Sequence, residues 1–266
     1  MSESRAPEEN NIRPASTAII LRDTAVGLQV FMVVRHHQID FASGAFVFPG
    51  GKVDPIDHDI ASTQAIPTVG LHPAPSFWIA AIRETFEEAG LMLARKEGEQ
   101  ELLGAQETRT LVERHRTDVV AGKLPFSEIL REYNLTPALD LLVPFAHWIT
   151  PTTQKKRFDT HFFLVTAPVI QFGAHDGGEA VEGVWTTPRQ ALAEADAGQR
   201  IMLPPTRLNL EKLAQDDTVK DAVASAHAAK VVTVLPRVEQ VNGGRKLHLP
   251  IEAGYGMSEL FVKASS

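Results

Sequence analysis

The chain has 266 residues, 44 % hydrophobic and 22 % charged, with a net charge of −7 and a pI of about 5.8. That length can bury a substantial core in one large domain, or in one domain with a subdomain. The acidic balance argues against a general electrostatic grip on a nucleic-acid backbone, while allowing a local basic pocket for a phosphorylated small molecule.

Cysteine is absent, which excludes thiol catalysis, thiolate metal sites and disulfides. The first residues are polar and acidic, and no run approaches the ~18 apolar residues of a spanning helix. The expectation is a soluble cytoplasmic protein that binds neither membrane nor nucleic acid.

In chain order, residues 1–12 read as a disordered tail. Two β-branched apolar runs, 15–22 and 28–35, flank Asp23–Gly27 and predict a hairpin. Arg35 at its end is either placed to reach a substrate phosphate or is an exposed strand-end cation. His36 and His37 are neighbours and point to opposite faces if both are extended, so they are read as surface residues. A strand at 44–48 runs into Pro49-Gly-Gly51. Residues 52–76 hold Pro67, Gly70, Pro73 and Pro75 and predict an excursion of turns, with Ser76 as N-cap of the helix at about 77–89.

Residues 95–140 then change character. They are charged and helix-prone, broken at Gly122-Lys-Leu-Pro125 into two helices, either an inserted subdomain that touches substrate or a plain cover for the sheet. Strands follow at 142–149, 158–166 and 180–185. Pro188 opens a helix to about Ala197, and further helices span 205–214 and about 217–229. Asn242-Gly-Gly244, between two β-like runs, predicts a terminal hairpin in an extension at 216–266.

Chemistry concentrates in the helix at 77–89. Ile79, Ile82, Phe86 and Ala89 form its apolar face. Glu84, Glu87 and Glu88 fall at i, i+3 and i+4 on another flank, where three carboxylates repel. Arg83 can balance one of them, and a hard divalent cation with oxygen ligands can balance the rest. Gly90 is placed to end the helix. An acidic run on a helix is usually solvated surface; the apolar strand running into Gly50 and Gly51 just upstream argues otherwise.

Gly51 and Arg83-Glu-Thr-Phe-Glu-Glu-Ala-Gly-Leu91 together resemble the Nudix box, G-x5-E-x7-R-E-U-x-E-E-x-G-U. The second half is complete, with Phe86 in a U slot. In the first half Asp57 stands where the pattern has Glu, Asp54 competes for that place, and Arg83 comes 18 residues later than the pattern puts it. An insert of that size in a surface loop costs only on the order of 1 kcal/mol in closure entropy. The expanded box is similar to that of the Nudix motif 19 type coenzyme A diphosphohydrolases. So is the order of Trp148-Ile-Thr-Pro151, Arg157-Phe-Asp-Thr-His-Phe-Phe163, His175-Asp-Gly-Gly-Glu179 and Leu203-Pro-Pro-Thr206, and the likeness covers about residues 13–215.

The resemblance implies an α/β fold, an α/β/α sandwich around a mixed sheet, here with the helical insert and a C-terminal helix and hairpin extension. It implies hydrolysis of a diphosphate linkage in a small nucleoside diphosphate derivative with Mg2+ or Mn2+. Coenzyme A or acyl-coenzyme A is the first substrate choice, and ADP-ribose, NADH or a nucleotide sugar the second. A homodimer is compatible with it, and so is a silent ligand-sensing module, although the intact Arg83, Glu84, Glu87 and Glu88 argue against the latter.

Carried over, Glu87 and Glu88 would be metal ligands, Glu84 a ligand or the base, and the Gly51 carbonyl a further ligand. Gly50 and Gly51 would face substrate, and Arg83 would hold the glutamates. A distal acid is sought in Glu179 or Glu182, with Asp176 behind them. Lys155, Lys156 and Arg157 are either solvated surface or a site for the 3′-phosphate of coenzyme A. Trp148 and Trp185 read as core more readily than as stacking platforms.

Overall fold

A computed structural model describes residues 12–34, 45–63, 72–168 and 183–263. Its architecture follows from the alternation of strand side chains, which must point to opposite sheet faces in turn. In β1 (Ile12–Thr24), Ala18 and Ile20 enter one apolar cluster while Ile19 and Leu21 enter a second. β1 turns through residues 25–26 into β2 (Gly27–Val34), the predicted hairpin, with Leu21 opposite Val30. The strand expected at 44–48 is only β3 (Phe46–Val47), after which β4 (Gly50–Lys52) carries the two glycines.

The stretch 52–76 is not all turns, as the sequence suggested. It contains a helix, α1 (Pro55–Thr63), that buries Asp57 and Ile60. The next helix, α2 (Pro75–Glu84), begins two residues earlier than expected. Ala74 is its N-cap, Pro75 opens it, and Ser76 lies inside the first turn with its hydroxyl buried and unpaired. Proline's fixed φ suits the first helical position, so no side-chain cap is needed. α2 runs into a wide π-type turn, Thr85–Ala89, that Gly90 closes at φ 67°.

A short β5 (Ala94–Lys96) pairs with β6 (Leu135–Pro137) and frames the predicted helical stretch. That stretch is α3 (Ala105–Leu111), a second wide turn at Val112–Arg116, α4 (Thr117–Val120) and α5 (Phe126–Glu132). It packs Leu111, Val119, Phe126, Ile129 and Leu130 into the first cluster.

β7 (Leu142–Ile149) and β8 (Arg157–Thr166) are antiparallel, while β8 runs parallel to β1. β9 (Gly183–Thr186) pairs with β2. Helices α6 (Pro188–Asp196), α7 (Pro204–Leu213) and α8 (Val219–Ala228) supply the second cluster. β10 (Thr233–Val234) adds to β7 in parallel. β11 (Arg237–Val241) and β12 (Gly244–His248) form the predicted hairpin, and β13 (Glu259–Lys263) completes a separate three-stranded sheet that the sequence did not suggest.

The main sheet is mixed, ordered β10-β7-β8-β1-β2-β3, with β4 sharing the edge of β1 and β9 that of β2. α1, α2 and the helical stretch cover one face, and α6–α8 with the small sheet cover the other. This is the α/β/α sandwich. Among the described residues no helix is long and apolar enough to cross a membrane.

Candidate functional site

The acids of the box helix reach the glycine strand because α2 lies directly on β1. The Ser16 hydroxyl donates to the Phe77 carbonyl at 2.7 Å, and the Thr85 hydroxyl donates back to Ala81 O at 2.7 Å where the helix widens. A π-type turn alters the helical register, and here Glu87 and Glu88 diverge. Glu87 turns to Arg83, and Glu88 Oε2 accepts from the Gly50 amide at 2.9 Å. β4 pairs with β1 through Thr17–Gly50 and Ser16–Gly51. A Cβ on Gly51 would sit 2.3 Å from Glu84 Oε1, and one on Gly50 would sit 2.5 Å from Ser16 O. Only glycine lets this backbone approach the acids so closely.

Arg83 is the hub. Buried, it donates from Nε to Asp57 Oδ1 (2.9 Å) and from Nη2 to Asp57 Oδ2 (3.0 Å) and Lys52 O (2.8 Å). From Nη1 it donates to Glu84 Oε1 and Glu87 Oε1, both at 2.9 Å. Asp57 is fully buried and also accepts from the Asp54 amide at 2.8 Å. Asp54 itself is 54 % exposed and 3.8 Å from the guanidinium. Asp57, not Asp54, therefore meets the arginine, and α1 within the insert is what carries it there.

Burial opposes the charge on Arg83, yet its hydrogen bond to Asp57 and the charges of Glu84, Asp57 and Glu87 hold its pKa above the ordinary guanidinium value. Burial pushes Glu84 up to about 8 against the pull of Arg83, with Glu88 and Glu87 adding repulsion. Burial also raises Glu87. Arg116 arrives from the helical insert, its Nε donating to the Glu87 carbonyl at 2.7 Å. Burial lowers its pKa while Glu88 and Glu87 oppose the fall.

Three carboxylates, Asp57, Glu84 and Glu87, thus surround one fully engaged arginine, with Glu88 beside them on the Gly50 amide and Arg116 at the margin. An all-oxygen donor set with surplus negative charge, beside a backbone stripped of side chains, fits a hard divalent cation such as Mg2+ or Mn2+.

Gly50, Gly51, Glu84 and Glu88 open into a cleft of about 930 Å3, toward the upper end of the ~300–1,000 Å3 usual for small-molecule sites. Arg13, Ala15 and Thr17 line it from one face of β1, and Phe158, Thr160 and Phe162 from β8. Lys52, Lys156 and Arg245 add cations, and Arg245 comes from the small C-terminal sheet.

A family model described as the NUDT19 Nudix domain matches residues 67–213. The chain belongs to this Nudix family.

The match begins after Asp57, so Gly51, Asp54 and Asp57 lie outside it. The Nudix chain is 25 % identical over 225 residues to the acyl-coenzyme A diphosphatase NUDT19 of Xenopus laevis, covering 70 % of this chain and 59 % of that one. It is 30 % identical over 209 residues to the putative nudix hydrolase 7 of Caenorhabditis elegans, covering 77 % and 61 %. It therefore spans about three fifths of the curated relatives it matches. The crystal structure of a Nudix hydrolase from Alicyclobacillus acidocaldarius superposes with a TM-score of 0.62 at 29 % identity, covering 80 % of this chain and 96 % of that one.

The Nudix glutamates expected from sequence are brought to one place, but not equivalently. Glu84 and Glu88 line the cleft, while Glu87 stays behind on Arg83. Arg35, Glu179, Glu182 and Asp176 lie outside the described residues, as do His36 and His37. Lys156 lines the cleft and Lys155 does not, whereas Arg157 is buried and bound to Thr150 O at 3.0 Å, so the basic cluster is split. Trp148 is core on one side and cleft wall on the other. Trp185 packs edge-on to Phe31 at 5.3 Å beneath Arg22.

Sequence reasoning missed Arg13, Lys52, Arg116 and Arg245. The two-residue period from Arg13 to Thr17 was a signal for the first of these. Arg116 and Arg245 depend on tertiary packing that no local pattern carries.

Proposed function

We propose that this Nudix chain is a metal-dependent hydrolase that cleaves coenzyme A or acyl-coenzyme A to 3′,5′-ADP and (acyl-)4′-phosphopantetheine. The observation that carries the substrate choice is the pairing, in one cleft, of a carboxylate end at Gly50, Glu84 and Glu88 with a cationic rim of Arg13, Lys156 and Arg245. Arg13 lies four residues along β1 from the Thr17–Gly50 pair, about 13 Å at ~3.3 Å per residue. A ligand that uses both ends extends well beyond its diphosphate and carries a further anionic group. The 3′-phosphate of coenzyme A supplies that group. Among the described residues neither Arg13 nor Arg245 has a carboxylate partner within salt-bridge distance, so both cations are available to it.

Glu84, Glu87, Glu88 and the Gly51 carbonyl would hold the metal, and Arg83 keeps two of these glutamates in place. When bound, the cation neutralises the diphosphate oxygens and acidifies water. Water adds across the anhydride, forming one P–O bond and breaking the bridging P–O bond, to leave two phosphate monoesters. Glu84, whose burial favours a held proton, suits transfer of the proton that the attacking water gives up. Glu179 or Glu182 would serve as the further acid from the distal loop.

The test is turnover with Mg2+ or Mn2+ of coenzyme A, acetyl-coenzyme A, dephospho-coenzyme A, ADP-ribose, NADH and UDP-glucose, with products identified by mass. Cleavage of the coenzyme A species to 3′,5′-ADP, lost in Glu88→Gln, is the expected result. Turnover of only the other diphosphates would discard the substrate, and no turnover of any would discard the enzyme.

A further inference from the structure

On the sheet face away from the cleft, β7 and β8 bring three metal-ligating side chains together. Phe158, Thr160 and Phe162 line the cleft, so Asp159 and His161, which alternate with them, face the other way. His147 on β7 is directly opposite His161. Two residues at i and i+2 on one strand, plus the residue facing them on its neighbour, give a sheet three convergent ligands on a rigid backbone.

Their imidazole and carboxylate atoms lie within 4.8 Å of one another. His147 Nε2 is 2.5 Å from Asp159 Oδ1, and His161 Nε2 is 3.8 Å from the same oxygen. The two imidazoles stack at 3.9 Å, 9° from parallel. Ligand atoms around a tetrahedral zinc with ~2.0–2.1 Å bonds sit roughly 3.4 Å apart, a value the two nitrogen–oxygen distances bracket. Because the rings are stacked nearly parallel, binding one ion requires them to turn out of the stack so that both nitrogen lone pairs converge.

We propose that His147, Asp159 and His161 form a second metal site, separate from the Nudix glutamates, that takes a transition-metal dication of the zinc class. Nitrogen-rich ligation distinguishes it from the all-oxygen box, which suits harder ions.

The surroundings support this assignment. His147 Nδ1 is 2.8 Å from Thr233 Oγ1. Metal-binding imidazoles commonly engage an oxygen through the second ring nitrogen, which fixes the ring and its tautomer. Phe77 stands edge-on to His161 at 4.8 Å and screens that ligand from water. His72 places its ring 6.2 Å from His161, at the margin of the cluster. Burial, then the neighbouring His147, pushes His161 down to about 4, so it is a neutral ligand at ordinary pH. A hydrogen-bonded His147–Asp159 pair alone would leave unexplained why a second imidazole is packed face to face on the first.

The test removes the box first. The full chain carrying Glu84→Gln, Glu87→Gln and Glu88→Gln is stripped with chelator and titrated with Co2+, read by its visible d–d absorption, and with Zn2+ by competition. One equivalent bound, with the absorption of tetrahedral or five-coordinate nitrogen-ligated cobalt, is expected. His161→Ala should abolish it, and Asp159→Asn, a change at a half-exposed position that folding tolerates, should weaken it at least tenfold. No binding in the box-less protein, or binding indifferent to the His161 and Asp159 changes in folded variants, would overturn the site. Because the readout is metal occupancy without turnover, its failure is distinct from failure of the proposed hydrolase.

Discussion

Replacing Asp57 isolates the role of the insert. Asp57→Ala removes both acceptors of the Arg83 fork and the acceptor of the Asp54 amide, while Arg83 remains buried. Stranding one member of a buried ion pair costs about 3–5 kcal/mol. Glu84 and Glu87 still face the guanidinium from Nη1, so the lower part of that range, about 3 kcal/mol, is the expected loss. In a chain of this size that corresponds to roughly 6–12 °C in melting temperature.

The assay is urea denaturation followed by far-ultraviolet circular dichroism, in chelator so that ion binding does not contribute. The double variant Asp57→Leu with Arg83→Met also takes the cation from Glu84 and Glu87, so it should not regain wild-type stability, but it should lose less than the sum of Asp57→Leu and Arg83→Met measured singly, because the two partners are coupled. A loss below about 1 kcal/mol for Asp57→Ala, or additivity of the two single changes in the double variant, would refute the hub.

Three further outcomes follow from the same geometry. Gly51→Ala forces a methyl to within 2.3 Å of Glu84 Oε1, so turnover should fall by about 100-fold or more with the circular dichroism spectrum retained; near-normal turnover contradicts the close approach.

In chelator, stability should decline with rising pH. Burial raises Glu84 from 4.5 to about 8, so its contribution is full below pH 4.5 and lost as pH passes 8, with a slope of at most ~1.4 kcal/mol per pH unit. Glu84→Gln should flatten that decline, and an unchanged slope removes Glu84 as its source.

Tyr255→Phe deletes the hydroxyl that accepts from Trp148 Nε1 and donates to Asn209 Oδ1, each at 2.8 Å in the buried region. About 2–4 kcal/mol should be lost for two stranded groups, measured as a shift in urea midpoint; a cost under 0.5 kcal/mol would mean that solvent reaches them.

The main sheet was legible because it depends on local alternation. Runs such as Phe162-Phe-Leu-Val165 send consecutive residues into opposite clusters, and that period is written in the sequence. The box helix was legible for the same reason, since its apolar stripe and Gly90 are local signals. What escaped reading depends on distance. Asp57 and Asp54 were indistinguishable until α1 buried one of them on Arg83, 26 residues away. α1 itself escaped because its one fully buried apolar residue, Ile60, makes too weak a stripe amid prolines and acids. Ser76 was misread because a serine before an apolar run signals a cap, while Pro75 had already supplied the start. β13 has hydrophobic alternation but pairs with β12 across a bend and a 3-10 turn, and only the hairpin partner carried a turn signal.

The small sheet β11–β13 lies beyond the residue at which the family match ends, yet Val238, Arg245 and Leu247 stand in the cleft wall. Tyr255 bolts that sheet to Trp148 on the main one. Acid cluster and far wall are therefore written in separate stretches of chain, the second anchored in the core by Leu247, Leu249 and Tyr255. Such a molecule can be remodelled piecewise. Exchange of the last thirty or so residues would redraw the shape and charge of one end of the cleft while leaving the carboxylates untouched, so lineages could diverge in what they admit without renegotiating the machinery that the other end requires.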